Sequence, residues 1–175
     1  MEFENYTDRA KAVIQNAQTL ALKSAHQQLH PLHILKVILE DKERFGSSLV
    51  DAAGGQTSLA LESLSSALTN LPKVEGTGAG QVYLAPETAR LFEQAEQSAE
   101  KAGDSFVTVE YLLLALAMAS GTASHKILSD AGVNPQNLNK AINDFRKGRK
   151  AKSSSAEDRY DALKKFAQDL TEDAA

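Results

Sequence analysis

Apolar residues recur along this chain at spacings of three and four, a pattern typical of amphipathic helices. In the first such stretch they are Ala10, Val13, Ile14, Ala17, Leu20 and Ala21. Thr7 stands just before it and is predicted to cap this helix, because its hydroxyl can accept an unpaired amide proton of the first turn. A second helix is predicted to open at His30-Pro31, where proline is tolerated at the first helical position. Shorter helices are predicted around 47–53 and around 59–71.

The same pattern occurs twice. Shifted by 78 positions, the first half of the chain overlays the second half without a gap, from Ala12/Arg90 to Leu68/Arg146. Few identities survive, but apolar positions meet apolar positions throughout, so the repeats share a packing pattern rather than reactive groups. Thr108 is predicted to cap the counterpart of the second helix. Strand signals are nearly absent, and the sequence therefore predicts an all-α fold of two pseudo-symmetric four-helix repeats, about eight helices.

Changes of composition set the predicted boundaries. Three glycines, Gly76, Gly78 and Gly80, indicate an irregular connector between the repeats. After the second repeat the chain becomes basic, then serine-rich, and then apolar again at helical spacing. The predicted parts are a domain at 1–148, made of repeat 1 (about 6–71), a connector (72–82) and repeat 2 (about 83–148), followed by a flexible linker with a C-terminal helix (149–175). Because the apolar stripe of that last helix has nothing to cover it, we expect the chain to be part of a longer protein.

Composition narrows the choice of partners. The net charge of −4 argues against nucleic-acid binding, which usually needs a basic surface. The absence of cysteine fits a reducing compartment. The N-terminus is acidic and polar, unlike a secretory signal, and no apolar run approaches the roughly 20 residues that span a membrane. We therefore expect a soluble cytoplasmic protein that engages neither nucleic acid nor membrane.

Three histidines are the most suggestive candidates for a metal site. His26, His30 and His33 are spaced four and three apart, which on one helix would place three imidazoles on a single face. Pro31 lies between them and starts a new helix, so a common face is not expected. Their counterparts in the second repeat are Asp104, Thr108 and Tyr111. We predict capping or surface roles for these histidines and no metal site.

Other chemistry is weakly indicated. The connector glycines suggest a phosphate-binding turn, but a preceding strand, the GxGxxG spacing and a following Lys-Ser/Thr are missing. GxSxG, HExxH and a Cys/His pair are also missing, and although a carboxylate pair acting on a sugar stays open, no pair is singled out. We therefore predict no catalytic residue. The basic cluster comprises Arg146, Lys147, Arg149, Lys150 and Lys152. It could contact nucleic acid or a membrane surface, but its position at a helix C-terminus favours a role in complementing the helix dipole.

Several stretches together resemble a known family. They are FENYTDRA near the start, the helix openings HPLHILKVIL and TVEYLLLALA, the connector LPKVEGTGAGQVYLAP and the tail AEDRYDALKKFAQDLTEDA. With these stretches the whole chain resembles the N-terminal domain of the Clp ATPases, in the branch of the ClpB-type protein disaggregases. The helix openings are shared with the protease-associated relatives, whereas the connector and the tail point to the disaggregase branch.

The resemblance implies a function for a larger protein. The parent chain would be a homohexameric AAA+ ATPase, using ATP and Mg²⁺, that threads polypeptides out of aggregates together with the DnaK chaperone system. This fragment lacks a Walker A motif, so we expect it to be without enzymatic activity and without a cofactor. We also expect the fragment alone to be monomeric. It would engage unfolded or aggregated polypeptides. The alternative is an adaptor-binding domain of a protease-associated Clp unfoldase, which would bind one folded partner.

The resemblance also implies a polypeptide-binding site. Thr7, Asp104 and Glu110 match the family's polar residues lining a groove between the repeats, and Phe92 and Tyr111 would add apolar contacts. Under the 78-residue shift the polar three fall opposite Ala85, His26 and Leu32, so they break the symmetry of the repeat. A purely structural interpretation stays open, with a helix cap, a loop residue and a first-turn acid at these positions. We expect weak binding, with a dissociation constant of roughly micromolar to millimolar.

Overall fold

The computed structural model describes residues 3–74, 80–147, 151 and 154–157. Within these ranges the chain forms eight helices: α1 Asp8–Lys23, α2 Pro31–Glu40, α3 Phe45–Ala52, α4 Thr57–Thr69, α5 Pro86–Lys101, α6 Val109–Met118, α7 Ala123–Asp130 and α8 Pro135–Arg146. Two strands of two residues each, β1 Gln28–Leu29 and β2 Tyr83–Leu84, pair in parallel. The all-α prediction is confirmed. The predicted C-terminal helix and most of the glycine-rich connector lie outside the described residues.

The two repeats are interlocked through their backbones. Each of helices α5 to α8 begins 78 positions after its counterpart among α1 to α4. The strand contacts follow the same shift of 78 positions. Tyr6 pairs with Val107, and their counterparts in the other repeat, Leu84 and Leu29, pair with each other. In each case the segment that enters one repeat pairs with a loop of the other repeat. The pseudo-symmetric arrangement predicted from the sequence is therefore confirmed, and each repeat depends on the other for these backbone contacts.

A second junction lies where α3 and α7 end. Gly54 and Gly132 both follow these helices with φ of 94°, a left-handed conformation that favours glycine. The two turns meet, since the amide of Gln56 donates to the carbonyl oxygen of Ala131 at 2.9 Å. A Cβ on Gly132 would lie 3.3 Å from the Gly54 oxygen. Gly132 thus allows both the positive φ angle and the close approach of the two repeats.

Helix α6 forms the centre of the core. Its residues from Val109 to Ala117 are all buried, on every side of the helix, and it contacts α1, α2, α3, α5, α7 and α8. A helix that is apolar all round must be covered all round, and the sequence VEYLLLALAM explains this central place. Among the described residues, no single helix is long and apolar enough to cross a membrane; α6 and α7 reach that length only together, across a 94° bend.

Two of the three histidines cap α2, as predicted, and the third is buried beside them. His26 and His33 are buried, and His26 Nδ1 lies 2.8 Å from His33 Nε2 in a hydrogen bond. The other ring nitrogen of His33 accepts from the His30 amide at 2.9 Å. Both nitrogens of His33 are therefore used inside the protein. Its bond to His30, the N-cap residue of α2, is half of a capping box, so the predicted capping role is confirmed for His30 and His33. His26 is buried, and the predicted surface role is wrong for it. Burial, together with the neighbouring histidines, lowers the pKa of His33 to about 4.

The buried histidine pair predicts that acid destabilises the fold. In the unfolded chain His33 binds a proton near pH 6.5, whereas in the folded chain it does so near pH 4. The associated stability is therefore complete above pH 6.5 and is lost as the pH falls toward 4, by up to about 3 kcal/mol. Urea unfolding between pH 7.5 and 4 measures the loss. His33→Gln, which does not titrate, should be less stable at pH 7.5 but should show a flatter pH dependence; equal slopes in both proteins would contradict the assignment.

Candidate functional site

The predicted polar residues come together beside the start of α6. Thr7 caps α1, its hydroxyl accepting from the Ala10 amide at 3.1 Å. Its own amide donates to the carbonyl oxygen of Val107 at 3.0 Å. This bond holds the start of repeat 1 against the loop of repeat 2 that runs from Asp104 into α6, where Glu110 occupies the first turn. Three residues from two repeats thus share one location.

A guanidinium group joins the acidic residues. Arg146, the last residue of α8, lies 2.5 Å from Asp104 Oδ2 through Nη1 and 3.0 Å from Glu110 Oε1 through Nε. The same Nη1 donates to the Tyr111 hydroxyl at 2.8 Å. The side chains of Asp104 and Glu110 are fully buried and that of Arg146 is 5% exposed. We call Asp104, Glu110, Tyr111 and Arg146 the ion-pair cluster. Such a group is tolerated in a protein interior because each charge is paired.

Arg146 lies in the last turn of α8, as its predicted role at a helix C-terminus requires, but it also has buried partners that were not predicted. It was placed in a solvated basic cluster at the end of a helix, whereas the structure buries it; Arg149, Lys150 and Lys152 of that cluster lie outside the described residues. A signal for this was present in the sequence. Arg146 follows the buried Leu138 and Ile142 at spacings of four, and its counterpart in repeat 1 is the buried Leu68. A charge in place of a core leucine indicates a buried partner.

The chain itself covers this cluster. Ala151 is fully buried, next to Phe106 and Phe145. Its amide donates to Asp104 Oδ1 at 2.9 Å. Its carbonyl oxygen accepts from the amides of Ser105 and Phe106 at 2.9 and 3.1 Å. Both main-chain polar groups of Ala151, its amide and its carbonyl oxygen, are therefore hydrogen-bonded to the loop between α5 and α6.

Residues 154–157 continue the cover over the start of α6. The carbonyl oxygen of Ser154 accepts from the Asp8 amide at 2.8 Å. Glu157 is buried, and its Oε2 accepts from the amide of Val109, the first residue of α6, at 2.8 Å. Thr108 is the N-cap residue as predicted, but its hydroxyl makes no capping hydrogen bond. The carboxylate of Glu157 takes that place. We call Ala151 and residues 154–157 the covering segment.

Two glutamates face each other in this cover. Burial raises the pKa of Glu110, against the opposing effect of Arg146. Burial and the nearby Glu110 raise the pKa of Glu157 to about 7, with the Thr7 hydroxyl and Arg9 acting in the opposite direction. Within the described ranges no group of three or more possible ligands is placed to hold a metal ion. The arrangement offers backbone donors and carboxylate acceptors, and the covering segment is paired with them.

The two predicted aromatic contacts differ in position. Tyr111 belongs to the cluster and its ring lies 5.2 Å from the Arg146 guanidinium carbon. Phe92 has no exposed surface and packs against Phe3 and Tyr6 in edge-to-face geometry, with centroid distances of 5.3 and 6.3 Å. In this structure Phe92 is part of the core beneath the site, and its contact with a bound polypeptide stays a prediction.

Comparison with known proteins gives a consistent result. The model of the Clp repeat (R) N-terminal domain matches residues 5–125. The chaperone protein ClpB of Rhodopseudomonas palustris is 56% identical over 174 residues, covering 99% of this chain and 20% of that protein. ClpB of Brucella suis gives the same identity and coverage. The N-terminal domain of Hsp104 from Candida albicans has the same fold, with a TM-score of 0.76 and 23% identity, covering 87% of this chain and 99% of that one. The chain spans about a fifth of the length of the curated relatives it matches.

The ion-pair cluster predicts a large effect of one substitution. Glu110→Ala should lower the free energy of unfolding by about 1 to 3 kcal/mol, because it removes the carboxylate that pairs with Nε of the buried Arg146, while Asp104 still pairs with Nη1. Glu110→Gln, which keeps the volume and a hydrogen-bonding oxygen, should lower it less. Urea denaturation at pH 7.5 measures both. The matched control, Glu93→Ala on the exposed face of α5, should change it by less than about 0.5 kcal/mol; similar small losses at both positions would contradict the cluster's role.

The paired glutamates predict that high pH loosens the covering segment. The pKa of Glu157 lies near 4.5 when the segment is free and at about 7 when it is docked. Docking is therefore strongest below pH 4.5 and weakens as the pH rises through 7, by up to about 3 kcal/mol. The charged and titratable groups around this place are Glu110, Asp104, Tyr111, Arg146 and Arg9.

A spin label tests this pH dependence. Ser155 is exposed within the segment and the chain has no cysteine, so Ser155→Cys gives one labelling site. The label should gain mobility between pH 5.5 and 8.5. Glu157→Gln, which keeps the acceptor but cannot ionise, should remove this change. A mobility that is independent of pH in the parent protein would refute the prediction.

Proposed function

Because the chain belongs to the Clp repeat N-terminal domain family, we propose that it is the polypeptide-engaging N-terminal domain of an ATP-dependent protein disaggregase. The observation that carries this proposal is the 56% identity with ClpB across 99% of the chain. In this proposal the domain binds unfolded or aggregated polypeptides weakly and passes them to a hexameric ATPase motor in a cytoplasmic parent protein. ATP and Mg²⁺ bind in that motor, which works with the DnaK system. The domain at 1–148 binds the polypeptide and the linker region at 149–175 leads to the motor.

The chemistry of the site supports polypeptide binding. Asp104 accepts from a backbone amide, while Ser105, Phe106 and Asp8 donate to backbone carbonyl oxygens. Main-chain groups of this kind occur in every polypeptide, so such a site is compatible with many sequences. Thr7, Asp104, Glu110 and Tyr111 supply its polar wall, and Phe92 supports the wall from the core.

Weak binding suits the proposed task. A dissociation constant of roughly micromolar to millimolar corresponds to about −8 to −4 kcal/mol, which allows release into a motor. Several tethered copies in one ring would raise the effective concentration without tightening any single contact. Affinity would then come from the number of copies rather than from a specific sequence.

Fluorescence anisotropy tests the function directly. A labelled, permanently unfolded protein titrated with this chain should show saturable binding in the micromolar to millimolar range, and a labelled, natively folded protein of similar size should show none. The direction follows from the site's main-chain groups, which an unfolded chain can pair with and a folded protein has already satisfied. Absence of binding to the unfolded form would overturn the proposal, and tight stoichiometric binding to one folded protein instead would indicate the adaptor-binding alternative.

A further inference from the structure

The residues assigned to polypeptide binding are covered. Thr7 and Glu110 are fully buried, the Asp104 side chain is fully buried, and Tyr111 is 5% exposed. The cover over their polar groups is the chain's own Ala151 and residues 154–157. An external polypeptide can reach these side chains only when the covering segment has left. The structure therefore shows the site with an occupant already in place.

The occupant makes the contacts expected of a bound peptide. At Ala151 both the amide and the carbonyl oxygen are paired, with Asp104 and with the amides of Ser105 and Phe106. Further on, the Ser154 carbonyl oxygen accepts from the start of α1 and the Glu157 carboxylate accepts from the start of α6. These contacts come from α1, α6 and the loop between α5 and α6. They hold a stretch of backbone against the polar wall described above.

The buried side chains of the segment are small. Ala151 is unexposed and Ala156 is 3% exposed. Both pack against Phe106 and Phe145. A larger or charged residue in place of Ala151 has no room there and would also meet the carboxylate of Asp104. The segment is thus matched to the site by size at one end and by the carboxylate of Glu157 at the other.

We propose that the covering segment is an intramolecular ligand of the polypeptide site and competes with substrate polypeptide for it. This inference rests on the proposed function. If the docked form outnumbers the open form by a factor K, only the fraction 1/(1 + K) of the molecules is open. The apparent dissociation constant for an external polypeptide is then multiplied by 1 + K. A tenfold excess of the docked form would weaken substrate binding about elevenfold. Releasing the segment should lower the apparent dissociation constant by the same factor.

Two substitutions in the segment test the competition in the full 175-residue chain. Ala151→Glu removes the fit and places a second carboxylate beside Asp104; Glu157→Ala removes the acceptor at the start of α6. Neither changes a residue of the site itself. Both should tighten the binding of a permanently unfolded protein at least threefold by fluorescence anisotropy. The matched controls are Ala123→Glu on an exposed position of α7 and Glu157→Gln, which keeps the acceptor; neither should tighten binding.

The spin label at Ser155→Cys provides an independent measurement. It should be immobile in the parent protein, mobile in the Ala151→Glu variant, and should become mobile in the parent protein when saturating unfolded polypeptide is added. A synthetic peptide of residues 149–158 should bind the Ala151→Glu variant and compete with the unfolded protein. The same peptide with alanine at the place of Glu157 should compete at least threefold less well.

The outcomes separate this inference from the proposed function. Suppose that the parent protein and both segment variants bind unfolded polypeptide equally, and that the label in the parent protein stays immobile when the polypeptide is added. Competition is then refuted while the proposed function stands. If neither the parent protein nor the variants bind the polypeptide but the labelled segment is released by Ala151→Glu, the proposed function fails and competition fails with it, although docking is real. In the Ala151→Glu background, Glu110→Gln should weaken binding again; unchanged binding would place the polypeptide elsewhere and overturn the inference.

Discussion

The burial of α6 on every side is the constraint from which the site follows. An apolar helix at the centre of the domain has its first-turn amides far from water, and these groups need partners inside the protein. In α2, the counterpart, the first helical residue is Pro31, which has no amide hydrogen. In α6 it is Val109, whose amide is satisfied by the carboxylate of Glu157 from a segment distant in sequence. The core therefore requires a polar occupant at this end of α6.

Equivalent positions in the two repeats are filled by side chains of different chemistry. In repeat 2 the ion-pair cluster fills them with Asp104, Glu110, Tyr111 and Arg146. The matched positions in repeat 1 are His26, Leu32, His33 and Leu68, all of them buried. There a neutral hydrogen-bonded histidine pair and two leucines complete the packing. A fold that closes this space with apolar and neutral groups on one side does not need charges on the other side for its stability.

Much of the fold was predictable from local patterns. The helix starts at Thr7 and Pro31 follow from short stretches of sequence, the internal repeat follows from the pattern of apolar positions, and the structure bears them out. The helices predicted around 47–53 and 59–71 begin two residues earlier than expected, since neither has a strong cap to mark its start. The site was harder to predict. Its polar residues came from family resemblance, and the roles of Arg146 and Glu157 were missed because their partners lie 35 to 48 positions away, beyond any local pattern.

The energetics of the cluster connect these observations. Burying charges is unfavourable relative to apolar side chains of similar volume, even when each charge is paired. Repeat 1 shows that this architecture accommodates the apolar solution, with Leu32 and Leu68 at the places of Glu110 and Arg146. Stability alone therefore does not account for the charges of repeat 2. The proposed exchange of one peptide segment for another would account for them: polar groups such as the Asp104 carboxylate are paired when the covering segment is docked, would be solvated when it leaves, and would be paired again when another backbone takes its place. Leucines at the same positions would favour permanent closure.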